Sequence, residues 1–521
     1  MLLLFAPALT VYSSVNAWDF APYSLLCISG WVIGGSRLLL PATAFYWASL
    51  PFQWLGIVAT TSSLLRNVDV LELALMLRTF PSTQIESALA PYLLPASGLA
   101  VALGVLAHLS ARVDTSPPPL ARRRSAAILL ALGCGLALWI PGLLWLRAWP
   151  LNAVAVAVAS ASGSSALDSL LFPENSLSNP RPAGEDWRAT RVPVAGEVTR
   201  ETFVLVIGES VRADALRECG APAAMPRMTS DALVACNVTA GSDATHTSVP
   251  LMVSRDLPGL QRRVPADATF LKAFERVGFH TYWLASQDAT IAWPDAQTVQ
   301  AVSAPGLDAD VLNAPFDVML ADPHPRRAIV LHTQDAHSPY CDRISQHVAQ
   351  PFTNACARLG NLPTADTLAD WKAVYGNAVS TSMSFLGGVI ARLEREPGAV
   401  FLIYSPDHGE ALLDDHRQIY GHAMRHPTRW DVQVPAIFWA NAAWRKAHPE
   451  AWRHLKANLT APLMHADLVP TLLGAAGIRY QDGRRGVFDL TSTEVPAERS
   501  RVVQRSLGKT ATWDQLVEEA R

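Results

Sequence analysis

Glu209, His332, His337, Asp407, His408, Glu410 and His422 are carboxylates and imidazoles that gather just beyond continuous apolar runs of the chain. Glu209 follows Phe203–Ile207, His332 and then His337 follow Ala328–Leu331, and Asp407, His408 and Glu410 follow Val400–Tyr404, with His422 further on. Oxygen and imidazole donors in such a mixture suit zinc, and a catalytic zinc keeps one coordination position open. Each residue alone has a plainer reading. An Asp-His pair after a strand is often a capped loop with a surface histidine, and Glu209 could simply favour a helix N-terminus. Their joint occurrence beyond successive apolar runs points to a metal site. Four hydroxyls, Thr239, Thr245, Thr247 and Ser248, could hold a nucleophile or merely cap a turn or helix, and the residues alone do not choose among them.

What must position these groups is a set of strands. Apolar runs rich in β-branched residues recur at Phe203–Ile207, Thr281–Ala285, Ala328–Leu331, Val400–Tyr404 and Ala436–Trp439, with helical patterns between them, as at Thr269–Val277 and Asn377–Arg395. Strands apolar on both faces and separated by helices predict an α/β domain with a mostly parallel central sheet. Ligands of such sheets bind outside the carboxyl ends of the strands, which is where the residues above fall.

Half of the 521 residues are hydrophobic (50%) and only 17% are charged, more apolar than an ordinary soluble enzyme. The excess lies in the first 150 residues. Runs such as Tyr92–Leu109 and Ser125–Trp145 approach the roughly 20 apolar residues needed to cross a bilayer. Five membrane helices are expected, at about residues 1–15, 23–40, 48–65, 92–111 and 125–147. A cleaved signal peptide competes for the first, but that stretch lacks a basic start and a clear cleavage site. Arg112, Arg122, Arg123 and Arg124 flank the fourth loop and place it in the cytoplasm, so the chain after Pro150 lies outside. The expected organisation is a transmembrane domain over 1–149, a connector over 150–197 rich in Ala, Ser, Pro and Asn, and a catalytic domain over 198–521. In an oxidising compartment Cys219–Cys236 and Cys341–Cys356 could each close a loop, the alternative being four reduced cysteines packed as small apolar groups. A net charge of −3 offers no basic face for nucleic acid.

Four segments in series carry a resemblance: Phe203-Val-Leu-Val-Ile-Gly-Glu-Ser-Val-Arg212, Asp243-Ala-Thr-His-Thr-Ser-Val-Pro250, His332-Thr-Gln-Asp-Ala-His-Ser-Pro339 and Ser405-Pro-Asp-His-Gly-Glu410. In this order they resemble the motifs of lipid-linked phosphoethanolamine transferases, which belong to the alkaline phosphatase and sulfatase superfamily and include the colistin-resistance enzymes. The resemblance implies that Glu209, Asp407 and His408 bind zinc, with Thr245 as both nucleophile and fourth ligand. It implies that His337 and His422 contact the phosphoryl group or a second zinc present during turnover, that His332 lies behind the ligands, and that Glu410 orients one of them. Thr83 and Glu86, in the outside loop before the fourth helix, look like the segment that binds the donor's headgroup, although an ordinary helix start explains them equally well. His426 reads as a solvated surface residue.

The implied reaction transfers phosphoethanolamine from phosphatidylethanolamine to an envelope glycolipid or glycan, such as lipid A or core sugars, through a covalent phosphothreonine. The implied setting is a bacterial inner membrane with the catalytic domain in the periplasm, and the protein is expected to be a monomer. Two departures bear on the acceptor: Asp243 and Ala244 stand where the colistin-resistance enzymes carry a cysteine, and several of their paired cysteines are missing. Phosphoglycerol transferase and phosphodiesterase are the alternatives within the superfamily. A sulfatase needs an arginine that Ser248-Val-Pro250-Leu-Met252 does not supply, and a binding module that had lost its chemistry would lack one of the proposed ligands. A reporter fused after residue 118 is expected to read cytoplasm and one fused after residue 196 periplasm; the reverse pattern would overturn the orientation.

Overall fold

The computed structural model describes residues 187–191, 200–229, 231–259, 268–287, 295–302, 306–359, 363–422, 427–505 and 510–521. The five expected membrane helices, Thr83, Glu86 and His426 lie outside the described residues. Among the described residues no helix is long and apolar enough to cross a membrane.

All five apolar runs are strands of one eight-stranded sheet. In chain order its strands are β1 (Glu201–Gly208), β2 (Leu233–Thr239), β3 (His280–Ala285), β4 (Thr298–Ala301), β5 (Arg326–His332), β6 (Ala399–Pro406), β7 (Gln433–Ala440) and β8 (Leu463–Met464). They lie side by side in the order β8-β2-β7-β6-β1-β5-β3-β4. Only β7 runs against its neighbours, so the mostly parallel sheet expected from the sequence is what forms. β1 is central, paired in parallel with β5 from Glu201↔Arg326 to Ile207↔His332 and with β6 from Glu201↔Ala399 to Gly208↔Pro406.

The continuous apolar character of β1 has a direct cause. Alternate side chains point to opposite faces, and both faces are covered. Phe203, Leu205 and Ile207 enter one buried cluster with Phe274, Phe401 and Leu472, whereas Val204 and Val206 enter another with Phe316, Leu386 and Leu402. Helices α1 (Thr245–Val253), α2 (Leu271–Arg276) and α5 (Leu468–Ala475) cover the first face, and α3 (Asp308–Ala321) and α4 (Leu368–Leu393) the second. The helical pattern read at Asn377–Arg395 is the carboxyl-terminal part of α4, which starts nine residues earlier at Leu368. Three strands, β2, β4 and β8, were not anticipated: β2 and β4 are partly exposed and β8 has two residues, so none presents a long apolar run.

Part of the span expected as connector is integrated into this domain. Trp187 is fully buried, its Nε1–H donates to the Ala268 carbonyl (2.9 Å), and Thr190–Arg191 pairs with Ile478–Arg479. Both cysteine pairs are joined, Cys219 to Cys236 and Cys341 to Cys356, closing loops of 17 and 15 residues. Replacing either pair by alanines is expected to lower stability by about 3 kcal/mol, the chain entropy such loops would regain on unfolding. Denaturant midpoints report this, and an unchanged midpoint would mean the loops are held by other contacts.

Candidate active site

The site lies at the carboxyl edge of the sheet, where β1, β5 and β6 end together. Asp407 N–H donates to the Gly208 carbonyl (2.9 Å) and Thr333 N–H to that of Ile207 (3.0 Å), which carries the strand register into the loops. Ser210, immediately after Glu209, sits at φ 60, a left-handed conformation costly for a residue with a side chain. Buried Tyr375 holds it there: its hydroxyl donates to the Ser210 carbonyl (2.8 Å) and accepts from Arg212 N–H (3.0 Å). This sharp turn leaves Glu209 at the mouth of the strand. Two glycines are required by close approach. A Cβ on Gly208 would lie 2.5 Å from both Asp335 Oδ2 and Tyr404 Oη, and one on Gly409 would lie 2.1 Å from the Trp430 carbonyl.

Glu209, Asp407 and His408 are each fully buried, and their donor atoms lie within 4.8 Å of one another. His408 Nε2 is 3.1 Å from Glu209 Oε1 and 3.4 Å from Asp407 Oδ2. Thr245 is the first residue of α1, and its hydroxyl points into this group, 3.0 Å from Glu209 Oε2 and 3.2 Å from His408 Nε2. The residue at the cap position is Ala244, so capping does not explain Thr245. The geometry therefore brings together all four residues that the resemblance singled out.

The charges are strongly coupled. Burial pushes Asp407 up, the Glu209 charge pushes it further, and together they take it to about 7. Burial also opposes ionisation of Glu209, but His408 together with His337 and His422 outweighs it and holds that carboxyl well below the usual range. His408 is disfavoured as a cation by burial and is nonetheless raised well above its usual value by Asp407 and Glu209. Asp407 Oδ2 has no hydrogen-bond partner among the described residues. A buried, unsatisfied carboxylate oxygen beside a second carboxylate and an imidazole is a donor set that a zinc ion fits, since the cation would occupy the orphaned position and offset the negative charge.

A second cluster shares Glu209. His337, His422 and Glu209 also present donor atoms within 4.8 Å, and the His422 ring lies 5.5 Å from that of His337 and 4.2 Å from that of His408. Buried Glu410 contacts His422 Nδ1 through both oxygens (3.1 and 3.2 Å). Burial works against a charged His422, but Glu410 raises it above its ordinary value, whereas burial lowers His337 despite nearby Glu209. The two imidazoles are therefore shifted in opposite directions, His422 toward holding a proton and His337 toward losing one. His332 is fully buried at the end of β5, edge-on to Trp283 and pushed down to about 4 by burial. Neither of its ring nitrogens has a hydrogen-bond partner among the described residues, so it lies behind the ligands without bonding to them.

Sequence reasoning missed three groups. Gln287 Nε2 donates to Glu209 Oε2 (2.9 Å) and to the Thr333 carbonyl (2.6 Å). It stands two residues beyond Thr281–Ala285, so reading the positions after that run as well would have found it. Buried Asp335 accepts from Tyr404 Oη–H (2.9 Å) and supports Gly208 from behind; burial and neighbouring Asp308 hold its carboxyl well above the usual range. His465 follows β8, a strand too short to read from sequence.

The sulfatase family profile matches residues 201–478, more than half of the chain and the whole of this site. The chain belongs to the sulfatase family. Within it, the sequence is 25% identical over 326 residues to the phosphoethanolamine transferase CptA of Salmonella typhimurium, covering 58% of this chain and 54% of that protein. It is 24% identical over 305 residues to the phosphoethanolamine transferase EptC of Escherichia coli K12, covering 54% and 51%. The chain thus spans about half the length of the curated relatives it matches. Two solved structures share the fold: the zinc complex of the periplasmic domain of Escherichia coli EptC (TM-score 0.54, 20% identity, 65% of this chain and 98% of that one) and the integral membrane protein EptA of Neisseria meningitidis (TM-score 0.62, 19% identity, 95% and 96%).

If the buried donors hold zinc, the purified protein should carry the metal, and Asp407→Ala or His408→Ala should weaken its binding by at least tenfold in competition with a chelator. Unchanged affinity in both variants would exclude this donor set.

Proposed function

We propose that this protein transfers phosphoethanolamine from phosphatidylethanolamine to an acceptor of the bacterial envelope through a covalent intermediate on Thr245. The observation that carries the reading is the convergence of the Thr245 hydroxyl with Glu209, Asp407 and His408 at the carboxyl edge of a sulfatase-family sheet. The names of the relatives favour the phosphoethanolamine headgroup over phosphoglycerol.

In this reading Glu209, Thr245, Asp407 and His408 hold one zinc. Bound there, the metal would lower the pKa of the Thr245 hydroxyl and offset charge on the phosphoryl oxygens. Thr245 Oγ1 attacks phosphorus, the bond to the diacylglycerol oxygen breaks, and diacylglycerol leaves with a proton. His422, whose affinity for a proton Glu410 raises against the effect of burial, faces the same space and is suited to donate a hydrogen bond to a phosphoryl oxygen or that proton to the leaving group. Neutral His337 beside it can accept or donate, and with His422 and Glu209 forms the place where a second zinc could enter during turnover. An acceptor hydroxyl, giving its proton to His422, then attacks phosphorus, the bond from phosphorus to Thr245 Oγ1 breaks, and Thr245 is regenerated.

The setting is inferred from independent features. Five apolar runs within residues 1–149 support an inner-membrane domain, as a lipid donor would require, and Thr83 and Glu86 are the residues we assign to binding its headgroup. Two disulfides support an oxidising compartment such as the periplasm. Lipid A and core sugars fit the acceptor role.

Thr245→Ala is expected to abolish both diacylglycerol release and transfer while leaving the fold intact. Thr247→Ala should keep much of the activity, and intact mass after incubation with donor should show a phosphoethanolamine adduct on wild type and Thr247→Ala but not on Thr245→Ala. Near-wild-type turnover by Thr245→Ala would refute the covalent mechanism.

A further inference from the structure

His465 is buried between α1, which carries Thr245, and the end of β6, which Asp407 and His408 follow. Its Nδ1 lies 3.3 Å from Gly241 N, in the loop that leads from β2 into α1. A backbone N–H can only donate, so Nδ1 must be an acceptor and the proton of the neutral ring sits on Nε2. Nε2–H then faces Ser405 Oγ (3.2 Å), near the end of β6, and that hydroxyl in turn donates a hydrogen bond to the Pro435 carbonyl on β7 (2.9 Å). Ser248, one turn along α1 from Thr245, lies 3.4 Å from Nδ1 and donates to the Asp407 carbonyl (2.6 Å). The imidazole thus contacts both halves of the site at once, without touching the space where a substrate would react.

The ring is itself firmly held. Met464 N–H and Phe488 N–H donate to Asp467 (2.8 and 3.0 Å), and Arg499 pairs with the same buried carboxylate (2.7 Å). This fixes the turn from β8 into α5, on which His465 stands. Burial pushes His465 down to about 3, in keeping with a ring that stays neutral and keeps one tautomer.

We propose that His465 is a positioning residue of the transfer reaction: its single neutral tautomer locks the Gly241 loop and α1 to the end of β6, which sets Thr245 against Asp407 and His408. The inference rests on the proposed function for its catalytic consequence, but the register it sets is also that of the proposed metal ligands. A displacement of about 1 Å between reacting groups costs on the order of a hundredfold in rate. Loss of a group that orients metal ligands typically costs 10–100-fold in affinity or activity, as an order-of-magnitude expectation.

The test uses the full chain with three substitutions. Asn places an acceptor oxygen near the Nδ1 position and keeps the bond from Gly241, Gln places a donor near Nε2 and keeps only the bond to Ser405, and Ala keeps neither. Two readouts are taken: kcat and KM for headgroup transfer from phosphatidylethanolamine in detergent, and zinc affinity by chelator competition. His465→Ala should lower kcat by about 10–100-fold with KM nearly unchanged and weaken zinc by a comparable factor, His465→Asn should recover most of both, and His465→Gln should recover less. If the wild type transfers nothing, the proposed function fails while zinc affinity still reports on His465. Equal losses in all three variants, or a folded His465→Ala with wild-type kcat and zinc affinity, would overturn the proposal. Should His465→Ala fail to fold, the Asn and Gln variants decide it, because a space-filling role does not rank Asn above Gln.

Discussion

The structure depends on the parallel register of β1 with β6. Pairing Gly208 with Pro406 brings Glu209 and Asp407 side by side at the sheet's edge, and the bond from Asp407 N–H to the Gly208 carbonyl extends that register one residue past the strands. Two carboxylates and an imidazole are thereby buried in direct contact. Removing such charges from water is expensive unless they are compensated. His408 provides part of that compensation, and the orphaned Asp407 Oδ2 marks where a cation would provide the rest.

Much of the surrounding architecture keeps this arrangement from relaxing. Tyr375 clamps the strained Ser210, Asp335 and Tyr404 press against Gly208, and the Trp430 carbonyl abuts Gly409. Arg212, three residues past Glu209, pairs with buried Asp414, tying the loop after β1 to the segment after β6. These contacts hold oxygens at close quarters that would otherwise repel. A site preorganised in this way would not have to reorganise as charge develops in the proposed phosphoryl transfer.

The second arm of the site works through asymmetry. His337 and His422 are chemically equivalent in sequence, yet Glu410 meets the His422 ring and raises it, whereas burial lowers His337. Glu209 belongs to both clusters, so the group around Thr245 and the His337–His422 pair share one carboxylate.

What the sequence by itself determined was the type of domain and one half of the site. Five strands buried on both faces cannot avoid being continuous apolar runs, so the sheet, its mostly parallel sense and the donors after β1, β5 and β6 were all legible. The same rule would have reached Gln287 after β3. It failed at β2 and β8, because the partly exposed β2 and the two-residue β8 leave no apolar signature, and with them went any local reason to prefer Thr245 or to notice His465. Thr245 came instead from resemblance to a family. Only the tertiary structure could decide that α1 points its first hydroxyl at Glu209 and His408, that Glu410 serves His422 rather than His337, and that the span read as connector contributes Trp187 to the core. Those outcomes depend on which distant segments share a sheet edge, and burial and hydrogen bonding between them are set by the register of strands more than a hundred residues apart.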